Sequence, residues 1–197
     1  MGRKSLKTER VTQILDAFER CMVQKGLEST TLDNVAEEAG VARRIIRHYV
    51  GNRDELIQTA VDRIIDNFSH QIFDVIESSA SDNRFDSGLD YIFSNDFNAL
   101  PINRLVAALL PVSLHDERVQ QAVKKIYDAF HHGLDQELAT HLPRAPEDKR
   151  RDVAYSIMCL AFGGGWMGNI GFSVEKNQLN KSIAQGLIMN LATNKNS

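Results

Sequence analysis

Between Ala36 and Tyr49 the chain reads AEEAGVARRIIRHY, and the spacing of its apolar residues restricts the fold more than any other stretch. Val35, Ala36 and Ala39 precede Gly40, while Val41, Ile46 and Tyr49 follow it, each group at the period of one helix face. Small Ala36 lets two helices approach closely, and Gly40 supplies a left-handed turn between them. Two short helices packed across a tight turn are a helix-turn-helix. With the apolar positions turned inward, Ala42, Arg43, Arg44, Arg47 and His48 are left on the outer face of the second helix, the one that enters a major groove.

Stability gives no reason for that outer face. Arginines in a first turn oppose the positive end of the helix dipole, and alanine as N-cap forgoes about 1 kcal/mol relative to serine or threonine. A charge run is commonly a solvated face, yet here it coincides with a complete helix-turn-helix core. Local rules broken together are expected at functional sites, and guanidinium forks suit phosphate oxygens and guanine edges. The expected partner is double-stranded DNA.

Charge distribution points the same way. The chain of 197 residues has a formal charge of -3, but residues 1–53 hold 10 Lys and Arg against 7 Asp and Glu. A basic N-terminal quarter therefore precedes an acidic remainder, as expected for a head with a polyanionic partner and a body with another task. Arg3, Lys4 and Lys7 either reach along the DNA or belong to a tail with no role. Cys21 and Cys159 stand far apart without ligand spacing, and the N-terminus has no apolar leader, which together favour a cytoplasmic setting.

Helical periodicity dominates elsewhere, and the expected fold class is all-α. Val11, Ile14, Leu15, Phe18, Cys21 and Met22 share one face of a first helix stopped by Gly26. Thr30 with Asp33 suggests a capping box for a second helix over 32–39. Asn52 with Glu55 begins a long helix whose apolar face carries Leu56, Ile57, Ala60, Ile64, Phe68, Ile72 and Ile76. Further helices are expected over 85–98, 102–113, 116–141, 146–172 and 178–192, with Pro146 as a first helical residue.

The stretch from Leu6 to Leu56, above all TTLDNVAEEAGVARRIIRHYVGNRDEL, resembles the TetR family of transcriptional regulators. The resemblance implies a three-helix head joined by the long helix to a ligand-binding and dimerising helical body. It also implies that Thr31, Tyr49 and Arg53 hold phosphates, that Arg43 and Arg44 approach bases, and that Arg47 and His48 straddle bases and backbone. Three residues depart from the family pattern: Ala42 replaces a Ser/Thr cap, Arg44 a frequent Gly, and Arg47 a common Tyr. Whether the added arginines read bases or strengthen phosphate binding stays open at this level.

In the body, Val153 to Phe172 holds no charge over 20 residues, which raises a membrane span. Its five glycines, Ser156, Asn169 and the amphipathic surroundings argue against one. Gly163, Gly164 and Gly165 each cost about 1 kcal/mol in a helix, so they imply close helix packing or a ligand crossing bare backbone. Leu179, Ile183, Leu187 and Leu191, widened by Ala184 and Ile188, complete more apolar surface than a monomer covers. An isologous homodimer through a four-helix bundle follows.

Aromatic and polar side chains nominate a small-molecule effector pocket from Tyr91, Asn95, Asn98, His115, Tyr127, Phe130, Cys159, Phe162 and Trp166. No residue cluster has catalytic or metal-ligand spacing, and no cofactor is expected. The reading is a DNA-binding domain over 1–52 and an effector and dimerisation domain over 53–197. It describes a ligand-responsive repressor that binds a palindromic operator as a dimer and is released by a small molecule, with no membrane partner. The alternative is a helical carrier or enzyme that keeps the helix-turn-helix as scaffold.

Overall fold

A computed structural model describes residues 3–78, 84–173 and 175–193. They form helices and no strand, in agreement with the all-α expectation. The helices are α1 (Arg3–Lys25), α2 (Leu32–Glu38), α3 (Arg43–Tyr49), α4 (Arg53–Ser78), α5 (Arg84–Ile92), α6 (Asn95–Asn98), α7 (Pro101–Ser113), α8 (Glu117–His141), α9 (Glu147–Asn169) and α10 (Glu175–Thr193). Contacts divide the chain into two compact units, residues 1–68 with 101–126 and residues 69–100 with 127–197.

In the first unit Ile14, Leu15, Phe18, Cys21 and Met22 of α1 are buried, as are Val35, Ala36, Ala39, Ile46, Leu56, Ala60 and Ile64. Glycines 26 and 40 have φ of 77° and 63°, the left-handed turns that end α1 and separate α2 from α3. The reciprocal cap of α4 is present: Asn52 Oδ1 accepts from Glu55 N at 3.0 Å, and Glu55 Oε2 accepts from Asn52 N at 2.7 Å. Side chains of Phe68, Ile72 and Ile76 lie outside the described set.

Three local expectations are corrected. Thr31, not Thr30, caps α2 by accepting from Asn34 N at 3.2 Å, while the Thr30 hydroxyl donates to Gly26 O at 2.8 Å. The helix expected over 85–98 is two, because the Ser94 hydroxyl accepts from Phe97 N and starts α6. Pro146 is the N-cap of α9, and Glu147 is its first helical residue.

The second unit packs α9 along α10. Ala154, Ile157, Met158 and Ala161 of α9 and Ala184, Ile188 and Leu191 of α10 are buried in its core. A methyl group on Gly164 would lie 2.6 Å from Asn180 Nδ2 and 2.8 Å from Asn177 Oδ1, and one on Gly165 would lie 2.5 Å from Asn98 Oδ1. Close packing therefore explains two of the three successive glycines. Among the described residues, no atom from outside the helix's own turn stands within 4 Å of the same point on Gly163. Arg150 Nε donates to buried Asp135 Oδ1 at 2.6 Å and ties α9 to α8. No helix of the described residues is long and apolar enough to cross a membrane.

Candidate nucleic-acid interface and effector cluster

Helix α3 has seven residues and buries only Ile46 completely, so its neighbours rather than its own propensity hold it. Val41 N donates to Ala36 O at 2.9 Å, and Gln13 Nε2 of α1 donates to Ala39 O at 2.7 Å, clamping the turn from both sides. Ala42 stands at the N-cap in extended conformation with no side-chain cap bond. The outer face is as the spacing requires: Arg43, Arg44, Arg47 and His48 are exposed and Tyr49 is half-buried with its ring edge-on to His48. Arg44, Arg47 and His48 fall at positions i, i+3 and i+4, a single helix surface.

The cations differ in their commitments. Arg43 Nη1 donates to Asp33 Oδ2 of α2 at 2.9 Å. Neither Arg44 nor Arg47 has an ion-pair or hydrogen-bond partner among the described residues. Arg53 is engaged away from the outer face: Nη2 donates to Leu27 O at 2.7 Å and Nε to Thr30 O at 3.2 Å, closing the loop between α1 and α2. Thr31 is exposed, and its hydroxyl pairs with the Asn34 side chain. Sequence reading gave Asp33 only a capping role and passed over Gln13 and Arg63. The last bridges α4 to Asp16 at 2.6 Å and to Glu19 of α1, partners 47 and 44 residues away that no local pattern reveals.

The second unit assembles part of the nominated effector set. Phe162 contacts Tyr127 edge-on at 4.9 Å and Phe130 at 5.0 Å, while Phe97 lies 5.8 Å from Tyr91, 5.9 Å from Phe130 and 5.8 Å from Phe162. Phe97, absent from the nominated set, is fully buried at the centre of this cluster. Burial pushes the Tyr127 phenol above its ordinary value, and burial with the Asp96 charge does the same to Tyr91. Asn98 lies against Gly165. Asn95, Cys159 and Trp166 are exposed. His115 is an exposed residue of the first unit, between α7 and α8.

A further face of the second unit is apolar and uncovered. Tyr155, Trp166, Met167 and Ile170 on and after α9, with Leu179 and Ile183 on α10, are all exposed. The stripe expected on α10 is thus divided, Ala184, Ile188 and Leu191 inward and Leu179 and Ile183 outward.

Comparison with known proteins links these features. Residues 14–60 match the family described as bacterial regulatory proteins, tetR family. An HTH-type transcriptional regulator BetI of Burkholderia ambifaria (strain MC40-6) is 26% identical over 167 residues, covering 83% of this chain and 84% of that protein. A TetR transcription regulator from Haloarcula marismortui ATCC 43049 superposes with a TM-score of 0.75 at 14% identity, covering 93% of this chain and 98% of its own. A putative transcriptional regulator from Saccharomonospora viridis, solved in complex with choline, gives 0.74 at 14% identity, covering 90% and 96%.

Proposed function

The chain belongs to the TetR family of transcriptional regulators, and from that premise we propose a dimeric, cytoplasmic repressor that binds a palindromic operator and is released by a small molecule. The observation that carries the reading is the outward row of Arg44, Arg47 and His48 on a helix whose only fully buried side chain is Ile46. Residues 1–52 are the DNA-binding part and 53–197 the effector and dimerisation part. Regulators of this family are generally not enzymes.

Within the head, Thr31 and Tyr49 are suited to phosphates, and Arg43, Arg44, Arg47 and His48 to the groove and the phosphates that flank it. Arg53 serves binding indirectly, by holding the carbonyls that precede the Thr31 cap. The uncovered apolar face of α9 and α10 suits a second copy of the chain, since contiguous apolar surface on a soluble helix pair is costly to leave in water. A dimer presents two such heads to the two halves of a palindrome.

The ring cluster of Tyr91, Phe97, Tyr127, Phe130 and Phe162 is the proposed region for the effector. Aromatic faces attract quaternary ammonium groups, and the Saccharomonospora viridis protein was solved with choline, so choline is the first candidate ligand.

An anisotropy titration of a duplex enriched by the protein from a random pool tests the reading. Affinity is expected to fall steeply with salt, by about 0.9 in log–log slope for each phosphate neutralised. Arg47→Ala is expected to cost about 1–3 kcal/mol of binding. Failure to enrich any duplex, or an unchanged affinity for Arg47→Ala, would overturn it.

A further inference from the structure

We infer that Asp33 is a specificity-determining residue: it holds Arg43 as a base-reading group, while the unpaired Arg44 and Arg47 supply charge that any DNA sequence attracts. The inference rests on the DNA-binding reading and goes beyond it by dividing the arginines by task.

The division begins in the geometry. Asp33 is the second residue of α2 and Arg43 the first of α3, and their ion pair spans the helix-turn-helix at 2.9 Å. Both backbone ends are fixed. Buried Val35, Ala36, Ala39 and Ile46 pack the two helices, and the Val41 to Ala36 hydrogen bond closes the turn. The carboxylate therefore occupies a defined place, and the guanidinium that bonds to it inherits a direction.

Folding accounts for an acid in the first turn of α2, where the helix dipole favours it, but not for the pair. Its side chains are 53% and 66% exposed, and ion pairs so open to water add little to stability. Attraction to DNA does not account for it either, because a carboxylate beside the recognition helix repels phosphates and cancels part of the charge of Arg43. A group that weakens binding to every sequence alike, yet fixes one cation, has the character of a specificity device.

Arginine chemistry completes the argument. Asp33 engages Nη1, and the planar fork keeps further N–H donors for the two acceptors of a guanine edge, O6 and N7. A base edge rewards a cation held at one angle. Phosphates occupy similar positions whatever the sequence, so the unpaired side chains of Arg44 and Arg47 can follow them.

The test uses the full-length protein and a duplex that the wild type enriches from a random pool. Anisotropy at fixed salt would compare that duplex, each of its single base-pair variants and a scrambled duplex, for wild type, Asp33→Asn, Asp33→Glu, Arg43→Ala and Arg44→Ala. Asp33→Asn is expected to bind the scrambled duplex as well as wild type or better. At one base-pair position in each half-site it loses discrimination by about fivefold or more, the same position that Arg43→Ala flattens. Asp33→Glu restores part of that preference, and Arg44→Ala weakens every duplex by a similar factor. If Asp33→Asn shifts all duplexes by one common factor, Asp33 is only a charge and the inference falls while the DNA-binding reading stands. If the wild type enriches nothing, both fall together.

Discussion

The outer face of α3 and the middle of α9 both defy the rules of helix formation, and they do so in opposite ways. In α3 an uncapped alanine precedes two arginines in the first turn, and among the described residues only Asp33 compensates. In α9 Gly164 and Gly165 sit inside a continuous long helix, but Asn177, Asn180 and Asn98 fill the space that side chains would need. A departure compensated inside the molecule is explained by packing. One left uncompensated on an exposed face points to something outside it, here a polyanion. Gly163 belongs with the second kind, since no neighbour approaches it and it sits on the exposed side of α9 with Trp166 and Ile170.

The most disruptive way to probe the packed region is through its buried ion pair. Asp135→Ala removes the partner of Arg150, whose side chain is only 16% exposed, and is expected to give the largest loss of stability among these substitutions by urea unfolding. The same pair sets an acid limit. The Arg150 hydrogen bond holds the Asp135 carboxyl below its ordinary range, so its stabilisation is complete above that range and is lost as pH falls through the lowered value. Stability of Asp135→Ala, followed by urea midpoints across acidic pH, should fall less steeply than that of wild type.

Adding a methyl group sharpens the contrast between compensated and free glycines. Gly164→Ala is expected to lose about 1–3 kcal/mol by overpacking against Asn177 and Asn180. Gly133→Ala in α8, where the added carbon meets nothing within 4 Å, should gain up to about 1 kcal/mol from helix propensity. Equal effects in thermal unfolding would remove the distinction.

An effect of similar size belongs to the head. Ala42→Ser supplies the missing N-cap of α3 and should raise stability by about 1 kcal/mol in chemical unfolding. If no gain appears, the N-terminus of α3 is satisfied in some other way and the uncompensated departure loses its meaning.

Period, caps and turn glycines act within a few residues, so most helices, their main breaks and the outward row of Arg43, Arg44, Arg47 and His48 are legible in the sequence. Choices between close neighbours were harder. Thr30 and Thr31 look alike in sequence, and only the loop geometry gives one hydroxyl to Gly26 and the other to the cap of α2.

Tertiary structure decided what each cation and ring is joined to. Arg53 reaches carbonyls 26 and 23 residues away, and Asp33 meets Arg43 across a turn. Phe97 joins Phe130 and Phe162 while Cys159 and Trp166 stay exposed. Local periodicity says which residues share a helix face, whereas the partner of that face depends on chain distant in sequence. Pairing is therefore a property of the packed molecule, and it is pairing that separates Arg43 from Arg44 and Arg47.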